Sequence, residues 1–142
     1  MNKEIIYKVP IRYYETDGMA IVHHSNYIRW FEDARCAMME EVGWPYWKVE
    51  EMGIMIPVLS ASCQYLKMVK YGEQIEIAVR VKAYTGVKLM LSYEVREQQT
   101  KEIRAEGETS HTFIGMDYKL LSLKRKCPQF HEVLKALAAK ED

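Results

Sequence analysis

Side chains suited to acyl-transfer chemistry lie close together near the start of the chain. Asp17, His24 and Asn26 fall within ten residues, directly before a predicted amphipathic helix. A carboxylate can activate water or attack a carbonyl itself, and a histidine can donate a hydrogen bond to a developing oxyanion. The first N–H groups of a helix have no internal partner and favour negative charge, so the peptide N–H groups of residues 24–27 could bind that oxyanion. Together these are the parts of an acyl-transfer site.

The same residues also fit purely structural roles. Asp17 followed by Gly18 is typical of an Asx turn, and Ser25 or Asn26 is a preferred N-cap for the helix. Glu32 lies more than one turn into the helix and needs no function as a solvated carboxylate. If it were buried, its pKa would rise and it could take part in proton transfer. The sequence alone leaves these interpretations open.

His23 and His24 are adjacent, which limits what they can do together. Neighbouring residues of an extended loop point in opposite directions, so we expect at most one of the two rings to face the site. Adjacent histidines rarely chelate one ion, and no third ligand has suitable spacing. We therefore predict no metal site.

The composition restricts the class of protein. The 142 residues are 49% hydrophobic and have a formal net charge of zero, which favours a single domain over residues 1–142 and gives no field to attract nucleic acid. No apolar segment is long enough to cross a bilayer and no signal peptide is evident, so we expect a cytoplasmic protein without membrane insertion. The three cysteines, at positions 36, 63 and 127, are too scattered for a disulfide framework.

Hydrophobic periodicity predicts the helices that must position the site. Apolar residues recur with helical spacing from Tyr27 to Val42, and Gly43 follows as a C-terminal stop. Few positions of this helix are clearly polar, so most of its surface should be enclosed. A short helix is predicted over residues 44–51 and a surface helix over Pro128–Lys140.

Alternation of apolar and polar residues predicts the strands. The runs 75–84 and 89–95 alternate on either side of a Thr-Gly turn and predict a hairpin. Further strands are expected over 4–14, 54–66 and 103–114, the first at a sheet edge because its proline cannot donate to a ladder. One strand, an enclosed helix and then a meander of four antiparallel strands is an α+β pattern. A curled sheet of about five strands must therefore wrap around the central helix.

Two motifs resemble those of a known family. The run YETDGMAIVHHSNYIRWFEDAR from Tyr14 to Arg35 resembles the signature of the 4-hydroxybenzoyl-CoA thioesterase-like branch of the hotdog superfamily. The run YLKMVKYGEQI, which begins at Tyr65, resembles the second signature of that family. The resemblance covers nearly the whole chain. It implies a hotdog fold, a homodimer joined edge to edge or a homotetramer, and hydrolysis of acyl-CoA thioesters at the dimer interface without a cofactor.

The resemblance also implies roles for individual residues. The loop aspartate of the family, matched here by Asp17, activates water or acts as the nucleophile. The backbone at the position of His24 faces the thioester carbonyl. Asn26, Tyr27 and Glu32 stand at motif positions with supporting roles.

The chain departs from the family pattern at two positions. Ala20 replaces the usual glycine and Met68 replaces the usual proline. Alanine does not easily take positive φ, so the sequence leaves the course of the loop beside the thioester open at Ala20.

An acyl-CoA substrate also needs a phosphate subsite and an acyl pocket. The phosphates require cations at the rim, for which the candidates are Lys88, Lys124, Arg125 and Lys126. The acyl pocket is expected between the enclosed helix and the sheet, lined by residues such as Phe31, Met38, Met39, Trp44, Tyr46 and Trp47. Flexible methionines suit chains of different length, so selectivity should be graded by length without demanding a polar group.

Thioester hydrolysis is the preferred hypothesis for the function. The loop carboxylate and the helix N-terminus supply an activated oxygen nucleophile and a preformed oxyanion site. A thioesterase acting on acyl carrier protein would share this chemistry and differ at the rim. A non-catalytic acyl-CoA binding module would have no need of Asp17, and a dehydratase or hydratase fits the Asp17–Tyr27 spacing less well.

Overall fold

A five-stranded antiparallel sheet curls around one long helix in the computed structural model, which describes residues 3–139. The strands are β1 (Ile5–Val9), β2 (Val58–Tyr65), β3 (Ile75–Tyr84), β4 (Lys88–Glu97) and β5 (Ile103–Thr112). The α-helices are α1 (Ser25–Glu41), α2 (Tyr46–Glu51), α3 (Leu123–Lys126) and α4 (Pro128–Ala138). The predicted α+β fold is confirmed.

The strands follow the order β1-β3-β4-β5-β2 across the sheet. The predicted hairpin is confirmed, since β3 and β4 pair antiparallel with Val79 opposite Tyr93. The predicted four-strand meander is wrong. β2 pairs with β5 at the far edge, with Cys63 opposite Gly107, and β1 takes the place beside β3. Both edge strands therefore come from the chain segments that flank α1.

The long helix α1 packs its apolar surface on the sheet. Eight of its residues are buried, and Phe31 stacks on Tyr93 with ring centroids 4.3 Å apart. Trp30 lies on the other side of the helix and is only 2% exposed, so the predicted enclosure of the helix is confirmed. Burial of a large apolar side chain contributes about 1.5–3 kcal/mol. Packing of this kind, more than helix propensity, stabilises α1.

The first two elements begin and end at residues that local chemistry explains. β1 ends at Val9, before Pro10, which has no amide N–H for the ladder. A 3₁₀ turn (Tyr13–Glu15) replaces the rest of the predicted first strand. α1 begins at Ser25, two residues before the predicted Tyr27.

The C-terminal part of the chain adds a helix that the sequence did not predict. The basic run after β5 forms α3, a single turn that leads into α4. Lys140, the predicted end of the last helix, lies outside the described residues. Within residues 3–139, no helix combines the length and the apolar character needed to cross a membrane.

Gly107 on β5 allows α1 to approach the sheet closely. A Cβ atom at this position would overlap the ring of Phe31 and would stand 2.6 Å from the carbonyl oxygen of Ser62. The Phe31 side chain is 0% exposed, and the Ser62 carbonyl belongs to the backbone of the neighbouring strand. Neither neighbour can move at low cost, so only glycine fits here.

The substitution Gly107→Ala should lower the free energy of unfolding by about 1–3 kcal/mol, the usual cost of overpacking a core. Urea unfolding followed by circular dichroism measures this change. Gly18→Ala is the matched control, because a Cβ there meets nothing within 4 Å, and its effect should stay within about 0.5 kcal/mol. Equal losses in the two variants would contradict the close approach at Gly107.

Candidate active site

Glu15 connects the loop before α1 to the helix itself. Its carboxylate accepts hydrogen bonds from the amide of Arg12 (2.7 Å) and from Trp30 Nε1 (3.0 Å). Its backbone carbonyl accepts from the amide of His23 (2.9 Å) and from the side chain of Asn26 (2.8 Å). Four hydrogen bonds to one residue thus fix where the loop meets the first turns of α1.

Asp17 lies at the turn of this loop and is exposed. Its Oδ1 accepts hydrogen bonds from the amides of Met19 (2.8 Å) and Ile21 (3.2 Å). The Asx turn considered from the sequence is therefore present. Among the described residues, no hydrogen bond occupies Oδ2 of Asp17. One carboxylate oxygen orders the loop, and the other is free for chemistry.

Ala20 adopts a φ of 59°, in the left-handed region. The loop course that the sequence left open therefore includes a positive φ at an alanine. The Ala20 amide donates to the Asp17 carbonyl (3.1 Å), and the Ala20 carbonyl accepts from the amide of Tyr71 (2.9 Å). The Val22 amide also donates to the carbonyl of Val69 (2.8 Å). These contacts with the second motif hold a conformation that costs an alanine about 1–2 kcal/mol.

The first turn of α1 leaves one amide available to a ligand. His24 is the N-cap residue, so the prediction that Ser25 or Asn26 would be the cap is wrong. The Asn26 and Tyr27 amides donate to the carbonyls of His23 and His24, at 3.1 and 3.2 Å, and the Ser25 amide lies 3.2 Å from His23 Nδ1. Of residues 24–27, only the His24 amide has no hydrogen-bond partner within the described part of the chain.

Asn26 joins the helix to the loop. It is 7% exposed, and its Nδ2 donates to the carbonyls of Glu15 (2.8 Å) and His23 (3.1 Å). Both N–H donors of the amide group are thereby used. The contact supports the loop and leaves this side chain no donor for a substrate.

Both histidine rings line the same cleft. Their centroids are 4.2 Å apart with the planes at 32°, so the expectation that they would point in opposite directions is wrong. Side-chain alternation requires extended backbone, whereas His24 has helical φ and ψ of −57° and −27°. His23 Nδ1 lies 2.8 Å from Ser25 Oγ, which orients that ring.

Tyr65, the last residue of β2, forms the opposite wall. Its hydroxyl donates to the carbonyl of His24 (3.3 Å), and its ring meets that of Tyr27 edge to face at 5.0 Å. Tyr27 is 3% exposed, and burial raises its pKa to about 12. The Tyr27 phenol therefore stays protonated at neutral pH and serves as wall, not as a base.

These elements enclose a cleft of about 320 Å³ beside the N-terminus of α1. Its walls are Asp17, Ile21, Val22, His23, His24, Tyr27, Tyr65, Leu66, Lys67 and Met68. Of the predicted site residues, the structure brings Asp17, His24 and Tyr27 together here. Within residues 3–139, Asp17 keeps a carboxylate oxygen without a hydrogen bond and His24 a backbone amide without one. A nucleophile or base and an oxyanion donor are the groups that attack on a thioester carbonyl requires.

Arg104 anchors the segment that forms the outer wall. Its guanidinium donates to both carboxylate oxygens of Glu73 (2.9 and 2.7 Å) and to the carbonyl of Met68 (3.0 Å). The hydrogen bonds from Arg104 hold the pKa of Glu73 below its usual value, so the pair is ionised at neutral pH. The second motif thus supplies a bidentate clamp that positions the wall.

The predicted phosphate-binding cations lie at the other end of the sheet. Tyr65 of β2 and Val95 of β4 both pair with Ala105 of β5. Lys88 lies seven residues from Val95 along β4, which is roughly 23 Å. The basic run on α3 is close to Lys88, since the Leu123 amide donates to the carbonyl of Gly86 (3.2 Å). Lys88, Lys124, Arg125 and Lys126 are therefore not brought to the cleft of their own chain, whereas Lys67 lines it.

The predicted acyl pocket is filled by packed side chains. Phe31, Met38 and Met39 are 0–1% exposed, and Trp44 stacks on Phe130 with centroids 5.3 Å apart. Trp47, by contrast, is 64% exposed. The prediction of a pocket at these residues is wrong, because α1 packs directly on the sheet and leaves no room for an acyl chain there.

Glu32 lies outside the cleft. It is exposed on α1, and its carboxylate is 3.7 Å from the guanidinium of Arg35. Among residues 3–139, no group of three or more His, Cys, Asp or Glu side chains has an arrangement that could hold a metal ion.

Sequence reasoning missed Glu15 and Arg104 as residues that position the cleft. One signal pointed to Glu15. A buried indole N–H needs an acceptor, and Trp30 was predicted to lie on an enclosed helix. Arg104 gave no comparable signal, because its partner Glu73 is 31 residues away in the chain.

Comparisons with known proteins show the family and the fold of the chain. The profile of the Thioesterase-like superfamily matches residues 11–137. The solved structure of a DHNA-CoA thioesterase from Staphylococcus aureus is 30% identical and superposes with a TM-score of 0.87, covering 94% of this chain and 90% of that one. A relative from Aquifex aeolicus, provisionally named an esterase, is 33% identical over 85% of this chain and 92% of its own. Another from Bacillus subtilis, provisionally named an acyl-CoA thioesterase, is 29% identical over 87% of this chain and 90% of its own.

The substitution Glu15→Ala should lower the free energy of unfolding by about 1–3 kcal/mol, because it leaves the buried indole N–H of Trp30 without an acceptor. Urea unfolding measures the loss. Glu41→Ala, which removes an exposed carboxylate from the end of α1, is the control and should cost less than about 0.5 kcal/mol.

A double-mutant cycle tests the specific contact. Trp30→Phe removes the donor, so Glu15→Ala should cost less in that background, with a coupling of about 0.5–3 kcal/mol. Additive losses would show that Glu15 does not hold the loop through Trp30.

Proposed function

The chain belongs to the Thioesterase-like superfamily, and from that premise we propose that it hydrolyses acyl-CoA thioesters to a free acid and CoA. One observation carries the proposal: Asp17 and His24 line the same cleft, and within the described residues neither Oδ2 of Asp17 nor the amide of His24 has a hydrogen-bond partner. The relatives provisionally named esterase and acyl-CoA thioesterase, and the DHNA-CoA thioesterase, support the same reaction class.

In the proposed mechanism, Asp17 supplies the oxygen chemistry. Its carboxylate either removes a proton from the attacking water or attacks the carbonyl itself, and the developing oxyanion is stabilised by the His24 amide and the positive end of the α1 dipole. Collapse of the tetrahedral intermediate breaks the C–S bond, and the CoA thiolate leaves and takes up a proton. The two routes differ only in whether an acyl-aspartyl anhydride forms before water enters.

The remaining predicted residues take supporting roles in this proposal. Asn26 and Tyr27 hold the first turn of α1 against the loop and the wall at Tyr65. Lys67 is the cation at the rim of the cleft. Lys88, Lys124, Arg125 and Lys126 contribute to CoA binding only where a neighbouring protomer presents them to the cleft.

We also propose that the protein acts as a homodimer or homotetramer in the cytoplasm. Every residue of the edge strand β2 except Cys63 is exposed, and an unpaired edge of this kind is a liability unless another chain covers it. The three cysteines are free, which suits a reducing compartment.

Light scattering should give the mass of two or four chains at micromolar concentration. Leu59→Arg places a charge on the exposed edge strand, where Leu59 is 52% exposed, and should shift the protein toward the monomer because a charged edge resists pairing. A fully active wild-type monomer would rule out the shared interface.

Two alternatives keep the same cleft. A carrier-protein thioesterase would hydrolyse an acyl group faster from acyl carrier protein than from CoA, so the ratio of kcat/KM for the same acyl group on the two carriers separates them. A binding module would bind acyl-CoA tightly without turnover at high protein concentration.

The substitution Asp17→Asn should lower kcat on acyl-CoA by about 10²–10⁴-fold with little change in KM, because it removes the carboxylate and keeps the Oδ1 acceptor of the Asx turn. Steady-state release of free thiol measures this. Asp117→Asn is the matched control, since Asp117 Oδ1 accepts the Lys119 amide (3.0 Å) in a similar turn at another site, and it should retain wild-type kcat. Full activity of Asp17→Asn across a broad acyl-CoA panel would refute the assigned role.

A further inference from the structure

Arg35 is a buried cation with few good partners. The residue is 7% exposed, and its guanidinium lies 3.4 Å from Tyr46 Oη and 3.3 Å from Tyr93 Oη. The carboxylate paired with it, that of Glu32, is 3.7 Å away and largely in solvent. Hydrogen bonds from N–H donors are usually about 2.7–3.2 Å long. The donors of this planar fork are therefore poorly satisfied.

A chain of polar groups continues from Arg35 into the core. Tyr93 Oη lies 2.6 Å from Thr109 Oγ1, which lies 2.8 Å from His111 Nε2. Burial and the charge of Arg35 lower the pKa of His111 to about 4, so this imidazole is neutral at pH 7. Among these hydrogen-bonded groups, Arg35 is thus the one that carries a charge. A buried charge without a close counter-ion is destabilising.

The guanidinium adjoins a cavity of about 300 Å³ between α1 and the edge strand β2. Its lining residues are Ile28, Arg29, Glu32, Arg35, Val58, Ala61 and Thr109, of which Arg29 is exposed and Arg35 buried. Ile28 stands in the first turn of α1, and Arg35 is seven residues further on, roughly 10 Å along the axis. The cavity therefore extends along α1 from Ile28, four residues after His24, to a buried cation.

We propose that Arg35 is a specificity residue that binds an oxygen atom, of a hydroxyl or a carboxylate, at the far end of the acyl group. The proposal rests on the proposed function. When the thioester carbonyl is at the His24 amide, an acyl group lying past Ile28 reaches the guanidinium and offers it a closer acceptor than the hydroxyls of Tyr46 and Tyr93. The apolar side chains of Val58 and Ala61 contact the intervening carbons. This cavity takes the place of the apolar pocket expected from the sequence.

Glu32 distinguishes the two kinds of oxygen group. A hydroxyl can donate to Glu32 while it accepts from Arg35, whereas a carboxylate can only accept and is repelled by Glu32. The substitution Glu32→Gln should therefore raise kcat/KM for carboxylate-bearing acyl-CoAs relative to hydroxylated ones.

The experiment compares kcat/KM for three acyl-CoA series of equal length that end in a methyl, a hydroxyl or a carboxylate group. The wild type should prefer at least one oxygen-bearing series over the methyl series by about tenfold or more, the usual effect of a hydrogen bond to a charged group. Arg35→Met should reduce that preference to within about threefold, and Arg35→Lys, which keeps the charge without the fork, should retain part of it.

Arg80→Met is the control, because Arg80 lies on the outer face of the sheet beside Glu4 and should keep the full preference. Turnover of the methyl series by Arg35→Met shows that the variant is folded. If Arg35→Met does not fold, the proposal is tested by the ratio of kcat/KM for the oxygen-bearing series to that for the methyl series, compared between the wild type and Arg35→Lys. A wild-type preference for the methyl series, or an unchanged ratio in a folded Arg35 variant, would overturn the proposal.

Failure of the proposed function gives a different result. In that case the wild type hydrolyses none of the three series. The free hydroxy acids and dicarboxylic acids would still raise the melting temperature of the wild type more than that of Arg35→Met if the subsite exists. Equal shifts in the two proteins would exclude it.

Discussion

The hydrogen bonds of Glu15 are the constraint on which the cleft depends. A loop and the first turn of a helix are each prone to fraying, because they bury little surface. Glu15 joins the two through Trp30, whose side chain is buried in the core. The loop is thereby tied to the packed body of α1. Asp17, two residues later, and the His24 amide at the helix start consequently keep a fixed relation.

A second group of contacts brings the sheet to the same point. Arg104 on β5 holds the segment after β2, and that segment pairs with the Asp17 loop through Val69 and Val22. Gly107 in turn sets the distance between the sheet and the helix, because a side chain larger than a hydrogen atom would overlap the ring of Phe31. The loop, the helix start and the strand end are therefore positioned by contacts that lie outside the cleft. This division suits a reaction that needs a preorganised oxyanion site.

Local patterns predicted what local interactions determine. Neighbouring residues were enough to predict the helical period of α1, the hairpin of β3 and β4 and the position of Asp17. The place of β2 could not, because its partner Ala105 is forty residues from Tyr65, and no periodicity encodes that pairing. The direction of the two histidine rings depends on the backbone of His24, which is helical. The apolar pattern predicted a helix only from Tyr27, so it did not include His24. The burial of Arg35 could not be predicted either, because charged side chains are usually exposed and its hydroxyl partner Tyr93 is 58 residues away in the chain.

Hydrogen-bond satisfaction distinguishes the residues that hold the cleft in place from those that could bind a substrate. Glu15, Asn26 and Arg104 are partly or largely buried, and each has hydrogen bonds of 3.1 Å or shorter to its partners. Such groups are explained by the fold alone, since a buried polar group with its partners costs little. Asp17 Oδ2 and the His24 amide have no partner among the described residues, the Arg35 guanidinium has only long contacts, and all three residues line a cavity. His111 Nδ1, which is buried in the core without a partner among the same residues, lines neither of these cavities. Departures from local satisfaction concentrate at functional sites, so we infer that a substrate completes the groups of Asp17, His24 and Arg35, the three that line a cavity.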